Sequence, residues 1–403
     1  MNAGLRARSS HQAAVVASLL LAVLLSACQG DSGVDPLNVT TTTSTNVTTT
    51  VGSTSPTISS SSSSTNATST TATTPTTTNP QPFVEGELFL WDTVWQIAAK
   101  ADEAAMAEYV ERLATARGSA GQSITGFWFS VVNINQDINT PNGSGHTFGS
   151  FGSPNSEYLR DVDRLIELAN DSDLRVGIVV AWDGPNQFSV EQGKLTVDNA
   201  YAYGNTLADR WTDPEFAARD SVDAWIMGGD TTNDCCDGEH AAVWSEVVRG
   251  IQDAEQRNGF SPAQILFHTA PRQHLHYLGA MWLDGHAPQT GHCADASTAT
   301  AWLAELFEAD GRAAPVWGNG EMRYENIQWE CNGFEAITAQ QVLDDALAMA
   351  QLPFVENHVY GYDPRWNAER PGDVGMSAGG VSPGLQMILD EPGLIETRPP
   401  LPQ

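Results

Sequence analysis

The chain has 403 residues, with 19 Lys and Arg against 49 Asp and Glu, a formal net charge of −30; 41% of it is hydrophobic and 12 residues are Trp. Such acidity excludes a nucleic-acid-binding surface, because the basic face that neutralises phosphates is missing. All Trp fall between Trp91 and Trp366, which marks a globular region with a large core and excludes a wholly disordered chain.

At the N-terminus, Arg6 and Arg8 precede the apolar run Ala13 to Leu25, which ends in Leu25-Ser26-Ala27-Cys28. This is the layout of a secretory signal over residues 1–27. It also resembles the lipobox of bacterial lipoproteins, which implies that Cys28 is lipidated and becomes the first mature residue. An ordinary signal peptide with an incidental Cys28 is the alternative. A retained membrane helix fits less well, since a comfortable span needs about 20 apolar residues. Residues 28–82 are almost all Ser, Thr, Asn, Pro and Gly and cannot bury enough surface to offset the entropy of ordering, so a disordered tether is expected. The expected location is extracellular, on a bacterial cell membrane, with membrane contact through the lipid anchor only.

From Phe83 onward, short apolar runs alternate with stretches of helical period. Strands are expected over Leu88–Trp91, Ile124–Val132, Val176–Trp182, Ala224–Met227, Ile265–His268, Ala280–Leu283, Pro315–Gly318 and Phe354–Val359. The helices expected between and after them are Asp102–Arg117, Ser156–Asn170, Asp198–Trp211, His240–Asn258, Ala296–Ala309, Thr338–Ala350 and a brief Pro383–Leu389. Leu159, Val162, Leu165, Ile166 and Ala169 make one apolar face of the second, and Asn155 stands at its N-cap position. Repeats of this kind over residues 83–403 predict an α/β fold, a TIM-type (β/α)8 barrel, with an open doubly wound sheet as the alternative.

Active sites of such barrels sit on the loops after the strand C-terminal ends. Those ends carry Trp91-Asp92-Thr93-Val94-Trp95, Trp182-Asp183, Gly228-Gly229-Asp230, Asp284 followed by Gln289-Thr290-Gly291-His292, Gly320-Glu321-Met322-Arg323-Tyr324-Glu325, and His358-Val359-Tyr360-Gly361. Carboxylates, imidazoles and indoles on one rim are what glycosidic bond cleavage requires: two carboxyl groups flanking the bond and aromatic faces for the sugar. Asp230 and Glu321 each follow a glycine turn that can carry a side chain into the mouth, and they are the candidate catalytic pair. A turn or N-cap role for Asp230, and a rim pairing of Glu321 with Arg323, are the plainer alternatives. Asp92, Trp95, Trp182, His292, Tyr324, Glu325, His358 and Tyr360 are the candidate substrate-binding residues.

The ordered motifs Trp91 to Trp95, Trp225 to Asp230, Leu283-Asp284 with Gln289 to His292, Gly320 to Glu325 and His358 to Gly361 resemble those of the apiosidase-like glycoside hydrolase family. Asn199 to Arg210 and Gly384 to Met387 look like the family's helix before the Gly-Gly-Asp strand and its closing helix. The resemblance spans about Phe83 to Leu394 and implies a (β/α)8 barrel with Asp230 as general acid/base and Glu321 as nucleophile; attack by Glu321 would retain configuration at a carboxyl separation of about 5 to 5.5 Å, whereas about 6.5 to 9.5 Å would mean inversion through water. Trp91 stands where the family has glycine and Met322 where it has proline; with the Gly/Ser-rich loop from Asn142 to Gly152, these departures leave the sugar open.

Besides Cys28 there are Cys235, Cys236, Cys293 and Cys331, an even number in an exported domain and so disulfide candidates with three possible connectivities. No Cys-x-x-Cys spacing supports zinc, and no cofactor or metal is expected. A polysaccharide or oligosaccharide substrate and a monomeric state are the expectations for partners. A non-catalytic carbohydrate-binding surface lipoprotein is the alternative function; it would not need an acid pair.

Overall fold

In the computed structural model, residues 88–184, 189–231, 238–271, 280–310, 317–363 and 381–401 are described. They fall in the unit that runs from Thr78 to Gln403. The expected signal and tether, with Cys28, and the loop pair Cys235 and Cys236, lie outside the described residues.

In chain order the elements are β1 (Phe89–Thr93), α1 (Ile97–Lys100), α2 (Glu103–Thr115), β2 (Gly126–Ser130), β3 (Gly149–Ser150), β4 (Ser153–Pro154), α3 (Ser156–Asp171), β5 (Arg175–Val179), α4 (Val197–Trp211) and β6 (Val222–Thr231). There follow α5 (Gly238–Arg257), β7 (Gln264–Thr269), β8 (Gly285–His286), α6 (Ala296–Asp310), β9 (Gly318–Asn319), α7 (Ala339–Met349), β10 (Asn357–Tyr360) and α8 (Pro383–Asp390). Eight strands pair in the order β8-β7-β6-β5-β2-β1-β10-β9, and every one of these pairings is parallel. The two end strands are joined as well. Trp317 N–H donates to His286 C=O (2.8 Å), Gly320 N–H to Pro288 C=O (2.9 Å) and Thr290 N–H to Glu321 C=O (2.9 Å). The sheet therefore closes into the (β/α)8 barrel that the alternation predicts. The hairpin β3–β4 is an addition inside the loop after the second barrel strand.

Side-chain chemistry explains the local starts. Asp102, Asn155 and Thr338 accept hydrogen bonds from backbone N–H groups in the first turns of α2, α3 and α7. In α3 the five apolar residues expected on one face are buried, joined by Tyr158. Inside the barrel, large and small residues interdigitate. The indoles of Trp128 and Trp317 lie 4.8 Å apart, and a Cβ on Gly177 would sit 2.4 Å from Trp128 Cδ1, so the position beside that indole has to be glycine.

The sixth expected strand is displaced. Ala280–Leu283 is not a strand; Met281 and Trp282 turn, and pairing begins at Gly285. Of the seventh, residues 315 and 316 lie outside the described residues, and the pairing described is Gly318–Asn319; the eighth shifts the same way, to Asn357–Tyr360.

Candidate active site

Just before its last residue, Thr231, the fourth barrel strand, β6, carries three residues with positive φ: Gly228 (91°), Gly229 (80°) and Asp230 (51°). Neither glycine can be replaced cheaply. A Cβ on Gly228 would stand 2.3 Å from His268 C=O, and one on Gly229 would stand 2.7 Å from Trp182 Cε3. The turn swings the Asp230 carboxyl over the mouth, where its Oδ1 lies 3.7 Å from His268 Nε2. Asparagine and aspartate tolerate the left-handed region best among residues with a Cβ, which fits Asp at this corner.

Glu321 follows the seventh barrel strand, β9, and is 4% exposed. Asn319 Oδ1 accepts from its backbone N–H (3.2 Å), while Asn319 Nδ2 donates to Thr290 Oγ1 (2.8 Å). Two histidines hold the carboxylate. His292 Nε2 is 3.1 Å from Oε1 and His268 Nε2 is 3.4 Å from Oε2. Both imidazoles are oriented from behind. His292 Nδ1 donates to Met322 C=O (2.9 Å) and His268 Nδ1 to Ala287 C=O (2.8 Å), since a carbonyl can only accept. With Nδ1 protonated, a hydrogen bond from His292 Nε2 to Glu321 makes that ring an imidazolium.

The electrostatics separate the two carboxyl groups. Burial raises Asp230, the negative charge of Glu321 raises it further, and His268 only partly offsets them. Burial also opposes ionisation of Glu321, but His268 and His292 outweigh it and hold the carboxyl at about 2. Burial would lower His268, yet the flanking carboxylates push it up to about 9. Two carboxyl groups in one mouth thus differ in proton affinity, one an acid and the other a carboxylate. Asp230, His268 and Glu321 each offer a ligand atom within 4.8 Å of the others, a geometry that could also hold a metal ion. Their inward atoms Oδ1, Nε2 and Oε2 are buried and complete no hydrogen bond with a described residue.

Aromatic rings wall the cluster. Trp95 Nε1 donates to Tyr324 Oη (2.7 Å), Trp182 packs edge-on against Trp95 at 5.3 Å, and Tyr324 lies 4.5 Å from His292. Tyr324 Oη also faces Glu321 and Thr93.

Of the expected site residues, Asp230, Glu321, Trp95, Trp182, His292 and Tyr324 come together. Asp92, Glu325, His358 and Tyr360 do not. Asp92 Oδ2 accepts from Tyr109 Oη on α2 (2.9 Å), outside the barrel. Tyr360 Oη donates to Glu325 Oε2 and contacts Ser382 Oγ (2.6 Å), and Glu325 Oε2 also accepts from Gly384 N–H (3.0 Å) at the start of α8. His358, on the same face of β10 as Tyr360, is buried and pushed down to about 4 by burial alone. His268 was not expected, although its place at the end of a predicted strand, where side chains enter the mouth, is the signal that could have found it.

Cys293 and Cys331 form a disulfide (Cα–Cα 5.7 Å) that ties the loop after β8 to the loop after β9.

The sequence pattern of the family described as "Apiosidase-like, catalytic domain" matches residues 81–378. No curated protein matches the chain. Among solved structures, a glycoside hydrolase family 5 protein from Bacteroides vulgatus is 20% identical with a TM-score of 0.56, covering 71% of this chain, which spans 60% of that protein's length. A second, described as a glycoside hydrolase, is 22% identical with a TM-score of 0.56, over 76% of this chain and 67% of its own. At these identities the likeness is one of fold.

Proposed function

The chain belongs to the apiosidase-like catalytic domain family, and from that premise we propose that it is a cell-surface glycoside hydrolase that cleaves a polysaccharide or oligosaccharide with retention of anomeric configuration. The observation that carries this reading is the pair Asp230 and Glu321, at the ends of barrel strands four and seven, with opposed proton affinities and carboxyl oxygens within 4.8 Å of each other. Retaining enzymes hold their carboxyl groups about 5 to 5.5 Å apart, whereas inversion needs about 6.5 to 9.5 Å to admit a water between them.

In the proposed reaction, Glu321 attacks the anomeric carbon while Asp230 gives its proton to the departing glycosidic oxygen. The C–O bond to the leaving sugar breaks as the bond to Glu321 forms. Asp230, now a carboxylate, takes a proton from water, which displaces Glu321 and releases the sugar. His292 and His268 keep Glu321 ionised in a dry site, and Tyr324, Trp95 and Trp182 shape the wall against the ring. The lipobox-like Cys28 and the Ser/Thr-rich tract support an anchored, outward-standing enzyme.

The test is sugar release by the purified protein from a panel of plant and bacterial polysaccharides, beside Asp230→Asn and Glu321→Gln. Loss of more than about a hundredfold in both variants is expected. Binding without turnover, unchanged in both, overturns the pair in favour of a carbohydrate receptor. Proton NMR of the first-formed anomer decides retention or inversion. Recovery of a Cys28→Ala variant in the medium and of the parent in membranes checks the anchor.

A further inference from the structure

The loop after β9 presents two aromatic rings that the acid pair does not use: Trp329 is 42% exposed and Phe334 is 64% exposed. They stand on a fixed turn. Its base is closed by Asn326 N–H to Ile337 C=O (2.9 Å) and Ile337 N–H to Ile327 C=O (3.1 Å). Within it, Phe334 N–H donates to Trp329 C=O (2.8 Å) and Trp329 N–H to Asn332 Oδ1 (3.0 Å). Gly333 and Phe334 both hold left-handed backbone, φ 70° and 60°, and for a bulky aromatic residue that conformation persists only where the surroundings impose it. The disulfide from Cys331 to Cys293 pins this turn beside His292.

His292 connects the turn to the reacting groups. Its ring lies 5.6 Å from that of Trp329, and its Nε2 is 3.1 Å from Glu321 Oε1. An exposed indole therefore sits one imidazole away from the carboxylate. The turn also carries exposed carboxylates at Glu330 and Glu335, which repel an anionic ligand.

We propose that Trp329, with Phe334 in the same turn, is a platform on which the C–H face of a neutral sugar stacks, adjacent to the unit held at Asp230 and Glu321, so that the protein selects a chain of sugars over a single glycoside. This deepens the glycosidase reading and rests on it for the position of the neighbouring unit. A rigid indole suits the task because it offers a large apolar face at little cost in conformational entropy.

Native gel electrophoresis of Glu321→Gln through konjac glucomannan, xyloglucan, arabinan or polygalacturonate tests it. Retardation by at least one neutral polymer and none by polygalacturonate is expected. Adding Trp329→Ala should weaken that retardation at least tenfold, and Trp329→Phe should retain most of it. Equal retardation with and without Trp329, retardation by polygalacturonate alone, or none by any of the four overturns the platform. Sugar release by the wild type is scored separately. Release without Trp329-dependent retardation leaves the hydrolase and removes the platform; the converse removes the hydrolase and leaves the platform.

Discussion

His268 is the residue on which the two carboxyl groups depend in common. Its Nδ1 proton is committed to Ala287, so Nε2 is the only atom that can answer Asp230 and Glu321. A cation there favours the ionised form of both. Replacing it by Asn should therefore move both limbs of the pH profile of kcat/KM to higher pH, by about one unit, as Glu321 and Asp230 each hold a proton more tightly. Unmoved limbs with a merely lower kcat would reduce His268 to packing. The same residue shows what the sequence conceals. Barrel strands are buried on both faces, so Leu90-Trp91-Asp92-Thr93 has no alternation of polarity to say which side chains enter the mouth. Asp92, His358 and Tyr360 lie one residue out of phase with the interior, whereas glycines mark the strand ends before Asp230 and Glu321, Gly228 and Gly229 by their left-handed backbone and Gly320 by its close approach to Ala287 C=O.

Helix and strand placement was legible wherever caps and periodicity agree, as in α3, and slipped at β8, while β9 overlaps its expectation only at Gly318 among the described residues. Those strands are two residues long and are defined by neighbours rather than by their own composition. Position after a strand end did not reveal that Glu325 and Tyr360 contact the start of α8. The carboxylate takes the N–H of Gly384 in the first turn, where the helix dipole favours negative charge, and Tyr360 and Ser382 complete the cluster. Tyr360→Phe leaves a buried carboxylate short of a donor and should cost about 1 to 3 kcal/mol of stability. Thermal unfolding should begin several degrees lower while kcat/KM stays within about twofold. A tenfold loss of activity at unchanged midpoint would return Tyr360 to the substrate.

The charge of the whole chain and the buried acids Glu255 and Asp183 act in one direction. Glu255, 1% exposed, is pushed up to about 7 by burial, which Trp225 Nε1 and Ala263 N–H offset only in part, and Asp183 is pushed by burial to about 6. Each folded value lies above the ordinary one, so the folded state keeps protons that the unfolded chain gives up. The stability they contribute is full below about 4 and is lost as pH climbs through 6 to 7; His268 extends the loss toward 9. His358, held neutral at about 4, works the other way between 4 and 6.5, where Glu255 and Asp183 oppose it. Self-repulsion adds to the fall, because the net charge of −30 at neutral pH vanishes near a pI of 4.4. Salt separates the two causes, since raising it from about 0.1 M to 1 M shortens the Debye length from about 10 to 3 Å and screens surface charge more than buried groups. The unfolding midpoint in low salt should thus be higher at pH 5 than at pH 8, and 1 M NaCl should raise it more at pH 8 than at pH 5. An equal rise at both pH values would assign the salt effect to solvent exclusion from the surface and leave the buried acids as the sole source of the pH dependence.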